Sequence, residues 1–129
     1  KKGIYPVSFN KNYISWYLNL SLHRCMMISG LKNLIMSFAW SRYYIFTSLG
    51  AKIHYNHNFA LNVDICDYSL LTIGAGCVIG DHAKVSAHYL TKEKLILRPV
   101  FLEKETIVHE RVRVSPGTKT QVAQTMKGD

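Results

Sequence analysis

The sequence predicts a mainly β fold, a parallel β-helix of about four coils that follows one or two amphipathic α-helices. Aliphatic residues recur at every sixth position, a spacing that fits neither a helix nor a long strand. In a stacked coil, each six-residue unit forms one short strand and its corner, and its aliphatic side chain points into a shared core. The aliphatic positions are Ile73, Ile79, Val85, Ile96, Leu102, Val108 and Val114.

A second pattern supports the coil, because the fourth residue after most of these aliphatic residues is small or β-branched. Large side chains at that position would not fit inside a narrow coil. The residues concerned are Cys77, Ala83, Val100, Thr106, Val112 and Thr118.

Residues 1–48 are predicted to form a basic, amphipathic helical lead-in. A helix is expected over about 11–28, and Gly30 separates it from a second helix. Apolar residues at offsets of three and four predict that second helix, with Arg42 intruding on the apolar stripe. The stripe consists of Leu31, Leu34, Ile35, Phe38, Ile45, Phe46 and Leu49.

The β-helix is predicted over residues 49–120. Its register breaks at 67–72, and the polar segment 88–95 is expected to loop out. Residues 121–129 are expected to form a flexible tail. The first coil is less regular: its approximate inward positions are Leu49, Tyr55 and Leu61, with Ile53, Phe59 and Ile65 four residues further on.

The formal net charge of +8 is concentrated before the repeat. Seven basic residues occur up to Lys52, and no Asp or Glu occurs before Asp64. Two interpretations stay open for the lead-in: helices that pack on the coil, or a basic apolar surface that associates with an anionic membrane. No uncharged apolar run approaches the roughly 20 residues of a membrane-spanning helix. Nothing resembles a nucleic-acid-binding motif, and no nucleic-acid partner is expected.

The cysteines predict a reducing, cytoplasmic environment. Cys25, Cys66 and Cys77 are odd in number and lack the spacing of a disulfide framework or a zinc ribbon. The chain begins without an initiator Met or a signal-peptide pattern, so a fragment or a processed form is expected.

The repeat and its interruptions resemble the hexapeptide-repeat acyltransferases, which are left-handed parallel β-helices. The resemblance rests on the Ile-Gly hexads at 73–81, Ser-Ala-His at 86–88, Pro-Val at 99–100 and Pro-Gly-Thr at 116–118. The chain is most similar to the acyltransferase-like domains at the C-terminal end of polylysine-synthetase-type nonribosomal peptide synthetases. That likeness adds Tyr-Pro at 5–6, Trp-Tyr-Leu at 16–18, Leu-Gly-Ala-Lys-Ile at 49–53 and the Asp at 67.

The chain departs from the family where Gly is usual near the corners, at His54, Tyr55 and 108–109. A corner with positive φ costs a bulky residue about 1–2 kcal/mol. Distorted corners are therefore expected at Tyr55 and His109.

The resemblance implies a catalytic base at His88, which ends a hexad at the start of the excursion. Acyl transfer from a thioester removes a proton from the nucleophile and returns one to the thiol, and the unperturbed pKa of His, near 6.5, suits both steps. The alternative is that His88 is a polar corner residue without a chemical role.

The resemblance also implies a substrate side and a donor side. Asp67, Ser86 and His109 are candidate substrate-binding residues, although Asp67 can equally cap a turn and His109 can be a surface residue. Acetyl-CoA or another acyl-CoA is the expected cosubstrate, and a carrier-protein thioester is the alternative donor. The candidate donor-binding residues are Ser115, Gly117, Thr118 and Lys119.

No metal is expected, because His54 and His57 lack a third ligand and His82 occupies an outward position.

The leading hypothesis is a cytoplasmic, homotrimeric acyltransferase with a small-molecule hydroxyl or amine acceptor. The alternatives are a noncatalytic β-helical module that docks on a membrane or a partner, and a metal-dependent hydratase.

Overall fold

The computed structural model describes residues 2–7 and 10–127. Helix and strand contribute about 30% and 29% of the chain. A short strand, β1 (Gly3–Pro6), precedes three helices, and all later elements are strands apart from one 3-10 turn, η1 (Tyr68–Leu70). The helices are α1 (Lys11–Ile28), α2 (Lys32–Ser37) and α3 (Ala39–Ser48).

After the helices the chain runs repeatedly through three small parallel sheets, which we refer to together as the coil. The first sheet contains β2 (Lys52–Ile53), β5 (Leu71–Ile73) and β10 (Val100–Leu102). The second contains β3 (His57–Phe59), β6 (Cys77–Ile79), β11 (Ile107–Val108) and β13 (Thr125–Met126). The third contains β4 (Asp64–Ile65), β7 (Lys84–Val85) and β12 (Arg113–Val114).

The inward aliphatic residues stack in register from one turn of the coil to the next. Ile53, Ile73 and Leu102 are aligned across the first sheet. The second and third sheets repeat this arrangement, and every aligned residue in these stacks except the partly buried Met126 of β13 is at least 94% buried. Burial confirms the predicted inward positions of Ile73, Ile79, Val85, Leu102, Val108 and Val114.

The first turn follows a different register from the one predicted. Leu49, Tyr55 and Leu61 are exposed, whereas Ile53, Phe59 and Ile65 are buried. The inward residues are those aligned with Ile73, Ile79 and Val85 by strand pairing, which fixes the side of the sheet that each side chain faces.

The excursion is a β-hairpin rather than a loop. β8 (His88–Leu90) and β9 (Lys94–Leu97) pair antiparallel, and β1 adds a third strand to β9. Ile96 therefore lies in the hairpin and is not an inward residue of the coil. Leu95 and Leu97 are the buried residues of β9, packed with Trp16.

Thr125 and Met126 of the predicted flexible tail form β13, which continues the second sheet beside β11. The buried hydroxyls of Thr106 and Thr120 are 2.8 Å apart and join the last two turns. Residues 128–129 of the predicted tail lie outside the described residues, as do residues 1, 8 and 9 of the lead-in. Thr118 is only partly buried, unlike the other small or β-branched residues of the second pattern.

The strained corners are not those predicted at Tyr55 and His109. Positive φ instead occurs three residues after an inward aliphatic residue, at positions such as His82 (57°), Glu105 (61°) and Arg111 (59°). Glycine is needed one residue after an inward aliphatic residue, and the reason there is close packing and not a positive φ. A Cβ on Gly74 would lie 2.6 Å from the Lys104 backbone nitrogen, so close stacking of turns requires Gly there.

α1 has the predicted bounds, but the second predicted helix is divided at Phe38. Phe38 is extended, with φ −123° and ψ 135°. The division lets Arg42 donate a hydrogen bond to the carbonyl of Met36 at the end of α2, and its Nε lies 3.3 Å from Nε2 of His57. Arg42 is consequently buried, whereas Leu31, Leu34 and other members of the predicted stripe are exposed.

None of the helices within residues 2–7 and 10–127 combines the length and apolarity needed to cross a bilayer.

Candidate active site

An Asp–His dyad lies at the corner where the chain leaves the third sheet and returns towards the first. Nδ1 of His88 is 2.5 Å from Oδ2 of Asp67, and the Asp67 side chain is only 4% exposed. The His88 side chain is 19% exposed. Within the described part of the chain, Nε2 of His88 forms no hydrogen bond, so this nitrogen is available to a substrate.

Two turns of the coil supply the dyad. Asp67 follows β4, and its left-handed backbone (φ 60°, ψ 48°) begins the irregular segment that sequence analysis detected as a register break. His88 follows β7 one turn later, and the backbone N–H of Ala87 donates to Oδ2 of Asp67 at 3.1 Å. The Asp67 side chain forms no capping hydrogen bond with η1, so it orients His88 rather than capping that turn.

Trp16 of α1 contacts both residues of the dyad, and sequence analysis did not predict these contacts. Its Nε1 donates to Oδ1 of Asp67 at 3.0 Å, and its ring meets the His88 imidazole edge-on with centroids 5.0 Å apart. Trp16 is 7% exposed. The sequence signal was its place in a Trp-Tyr-Leu segment of the resembled family, which did not reveal its contact with a residue 51 positions away.

The hydrogen bonds around Asp67 keep its carboxylate ionised. Burial alone would raise the pKa of Asp67, but the hydrogen bond and charge of His88, aided by Ala87 and Trp16, hold that pKa below its usual value. An ionised Asp67 accepts the Nδ1 proton of His88. In the neutral form of the imidazole this contact selects the Nδ1–H tautomer, whose unprotonated Nε2 is what a general base requires.

Ser86 belongs to the same cluster but does not contact Nε2. Its Oγ lies 3.2 Å from Nδ1 of His88, and the residue is 2% exposed. Ser86 therefore supports the Asp67 side of the imidazole, whereas a nucleophile would need to approach the opposite nitrogen.

Cys66, Asp67 and His88 offer ligand atoms that lie within 4.8 Å of one another. This group was not anticipated as a metal site. Burial raises the pKa of the Cys66 thiol to about 12, and the thiol donates to the Val85 carbonyl. A metal would have to displace both this proton and the short Asp67–His88 hydrogen bond, so the arrangement fits proton transfer better than metal binding.

The predicted donor-binding segment lies one turn further on, over the same corner of the coil. Residues 115–118 follow β12, as Asp67 follows β4 and His88 follows β7, and the Ser86 N–H donates to the carbonyl of Val114. Lys119 is exposed, and its backbone pairs with that of Phe101 in an isolated parallel β-bridge. Arg98, which the predicted set did not include, packs against Gly117, with its Cδ 3.4 Å from where a Cβ would lie.

His109 is not brought to the dyad within one chain. It is exposed after β11, at the corner between the second and third sheets.

His57 has a structural role: burial lowers its pKa, and nearby Arg42 adds to that effect. His54 accepts a hydrogen bond from the Asn56 N–H, and His82 pairs with Asp81 at the surface. These contacts give no support to a metal site at His54 and His57.

A second Asp–His pair lies under α1. Nδ1 of the buried His23 is 2.6 Å from the Tyr68 hydroxyl, and its Nε2 is 3.5 Å from Oδ1 of Asp64. Lys84 lies 3.6 Å from the other oxygen of Asp64. A cavity of about 270 Å³ separates α1 from η1, and its lining includes Trp16, Asp67, His23 and Tyr68.

Comparison with protein-family models, with curated proteins and with solved structures finds no match to this chain.

Proposed function

We propose that this protein is an acyltransferase, built on a left-handed β-helix, that transfers an acyl group from a thioester to the hydroxyl or amine of a small acceptor. The observation behind the proposal is the Asp67–His88 dyad, whose Nε2 is left without a hydrogen bond among the described residues. The three-sheet order and the six-residue spacing of the inward residues also fit the resembled family.

In the proposed reaction, Nε2 of His88 takes the proton of the acceptor as its oxygen or nitrogen attacks the thioester carbonyl. The new C–O or C–N bond forms, and the C–S bond then breaks. The departing thiolate receives the proton from the imidazolium. Asp67 stays ionised and stabilises the positive charge on the ring, and a base of this kind accelerates a reaction about 10²–10⁴-fold.

The donor is acetyl-CoA or another acyl-CoA under this proposal, with a carrier-protein thioester as the alternative. Ser115, Gly117 and Thr118 would line the path of the pantetheine arm. Lys119 would neutralise phosphate, and Arg98 beside Gly117 is a second cation suited to that purpose.

We also propose a homotrimer in the cytoplasm. All three cysteines are free, which suits a reducing compartment. A trimer would cover Val78, Phe101 and Ile107, which are 37–40% exposed on the strands of the coil. In such an assembly a neighbouring subunit could bring His109 to the dyad.

The test is release of free thiol from acetyl-CoA and longer acyl-CoAs, assayed with panels of amines, sugars and amino alcohols. Turnover with at least one acceptor, reduced about 10²–10⁴-fold by His88→Ala in a folded protein, supports the proposal. Equal turnover by His88→Ala contradicts it. A chelator arm separates the hydratase alternative, because acyl transfer through the dyad needs no metal and is expected to continue.

A noncatalytic docking module is the second candidate function. It is favoured by the exposed apolar residues of the helices, such as Leu22, Ile28 and Trp40, which are 65%, 83% and 71% exposed. If no acyl-CoA releases thiol with any acceptor and the protein still binds a surface through its helices, this candidate replaces the enzyme.

A further inference from the structure

The outward side of α1 carries five large apolar residues. The inward side places Trp16 and His23 against the coil. The opposite side consists of Ile14, Tyr17, Leu18, Leu22 and Ile28, which are 37%, 51%, 58%, 65% and 83% exposed. We refer to these five residues as the outer face of α1.

The five residues form one continuous stripe. At 100° per residue they fall within an arc of about 140° of the helix surface. Such a stripe is the pattern of a helix that buries this side against something, yet within the described residues the chain places nothing over it. A run of large exposed apolar residues on one helix face is unusual for a surface that meets only water.

Cations accompany the outer face and anions do not. Lys11 lies within the same arc and Arg24 at its edge, and both are exposed. The sequence has no Asp or Glu before Asp64. Asp64 and Asp67 lie on the coil and are engaged by basic or imidazole groups. The helical side of the molecule is therefore positively charged.

The neighbouring helices add aromatic residues of the kind found at membrane interfaces. Phe38 and Trp40 stack with centroids 5.7 Å apart, and Trp40 and Tyr44 are 71% and 69% exposed. Trp and Tyr favour the boundary between lipid headgroups and acyl chains, because their rings are apolar and their N–H or O–H groups are polar.

We propose that the outer face of α1 docks on an anionic lipid surface. Its apolar residues would insert at the headgroup boundary, while Lys11 and Arg24 contact anionic headgroups. A second copy of this chain is less suited as the occupant, because two basic helical faces would repel each other. This inference is independent of acyl transfer and applies equally to an enzyme and to a docking module.

The experiment is cosedimentation of the full chain with vesicles of phosphatidylcholine alone and of phosphatidylcholine mixed with phosphatidylserine. Binding is expected only to the anionic vesicles and is expected to weaken as salt rises. Lys11→Gln together with Arg24→Gln is expected to lower the partition coefficient about 25-fold, since each well-placed cation contributes about fivefold. Leu18→Gln together with Leu22→Gln is expected to abolish binding.

Matched controls on the coil separate specific docking from general charge or hydrophobicity. Tyr55→Gln removes an apolar residue that is 71% exposed, and Arg113→Gln removes an exposed cation of the coil. Both are expected to bind as the unmodified chain does. Circular dichroism of each variant verifies the fold.

Three outcomes would overturn the proposal. One is the absence of binding to anionic vesicles, and another is equal loss of binding in the coil controls. The third is self-association that Leu18→Gln with Leu22→Gln abolishes while vesicles remain unbound, which would assign the outer face to a second copy of the chain.

Discussion

Two Asp–His pairs lie where the helices meet the coil, and they differ in which ring nitrogens are engaged. In the first, Nδ1 of His88 contacts Asp67, and Nε2 forms no hydrogen bond among the described residues. In the second, both nitrogens of His23 have partners, the Tyr68 hydroxyl and Asp64. The two residues also differ in burial, since the His88 side chain is 19% exposed and that of His23 is 8% exposed.

This difference predicts separate roles for the two pairs. Burial raises the pKa of Tyr68, so its hydroxyl keeps its proton, and this hydroxyl is hydrogen-bonded to Nδ1 of His23. Nε2 of His23 lies 3.5 Å from Oδ1 of Asp64, so neither nitrogen remains for a substrate. His88 has the same kind of anchor on one side only. We therefore expect His88 to act in proton transfer and His23 to stabilise the fold.

The largest expected effect comes from removing the anchor of His88. Asp67→Asn withdraws the ionised acceptor that selects the Nδ1–H tautomer, and we expect thiol release to slow about 10²–10⁴-fold. Asp81→Asn is the matched control, because Asp81 pairs at 2.7 Å with His82, which is 58% exposed. An exposed pair of this kind contributes little, so the control rate is expected to stay within about twofold. A folded Asp67→Asn variant with the control's rate would contradict the role of Asp67.

The second pair is expected to affect stability instead of rate. His23→Ala leaves the buried Tyr68 hydroxyl without its hydrogen-bond partner, which costs about 1–3 kcal/mol in the free energy of unfolding. Urea unfolding measures this loss, and thiol release below the transition is expected to stay close to that of the unmodified chain. A variant that keeps its stability but loses turnover would reverse the assignment of the two histidines.

A smaller effect is expected at Trp16, which acts through Asp67. Trp16→Phe keeps an aromatic ring beside the dyad but removes the 3.0 Å hydrogen bond to Oδ1 of Asp67. We expect turnover to fall about tenfold, which corresponds to the loss of one hydrogen bond to a charged group of about 1.5 kcal/mol. The pH–rate profile checks the mechanism, because a weaker hold on the ionised Asp67 should move the acid limb to higher pH. Trp40→Phe, at an exposed tryptophan, is the control.

The smallest effect is the acid dependence of stability. The hydrogen bond from His23 is the main reason that the pKa of Asp64 lies below its usual value, and Lys84 adds to this effect. The pKa of Asp67 is lowered as well. A depressed pKa stabilises the fold above the unfolded value near 3.9, and this contribution disappears as the pH falls through the folded pKa. Melting temperatures measured at decreasing pH should fall less steeply in Asp67→Asn than in the unmodified chain. Parallel curves would show that Asp67 gains no such stabilisation.

The periodic part of the fold could be predicted from sequence because one inward residue per six sets the pattern. Ile73, Ile79 and Val85 were placed correctly by spacing alone. Tyr55 was misplaced because an apolar side chain near the right spacing cannot be distinguished from one on the outside of a corner. The hairpin was missed because it depends on β1, whose partners in β9 lie 88 to 94 positions further along the chain, from Pro6 with Lys94 to Gly3 with Leu97.

The candidate site was predictable only in part. His88 was identified because the six-residue pattern breaks at 88–95, a segment that begins with this residue. Asp67 was identified because it is the first residue of the earlier break, at 67–72. Their contact depends on the left-handed backbone at Asp67, and left-handed geometry at a non-glycine residue has no clear sequence signal. Trp16 was not found because its approach depends on how α1 packs on the coil. Arg42 was taken as a disruption of a helix, whereas it is buried through hydrogen bonds to Met36 and His57.

The most direct test of the difference between the two Asp–His pairs is the rate of thiol release by His88→Ala and His23→Ala, compared with the unmodified chain in one assay with the same acyl-CoA and acceptor. We predict that folded His88→Ala loses about 10²–10⁴-fold in rate, while His23→Ala keeps its rate and unfolds earlier than the unmodified chain. Comparable rates for His88→Ala and the unmodified chain would contradict the account.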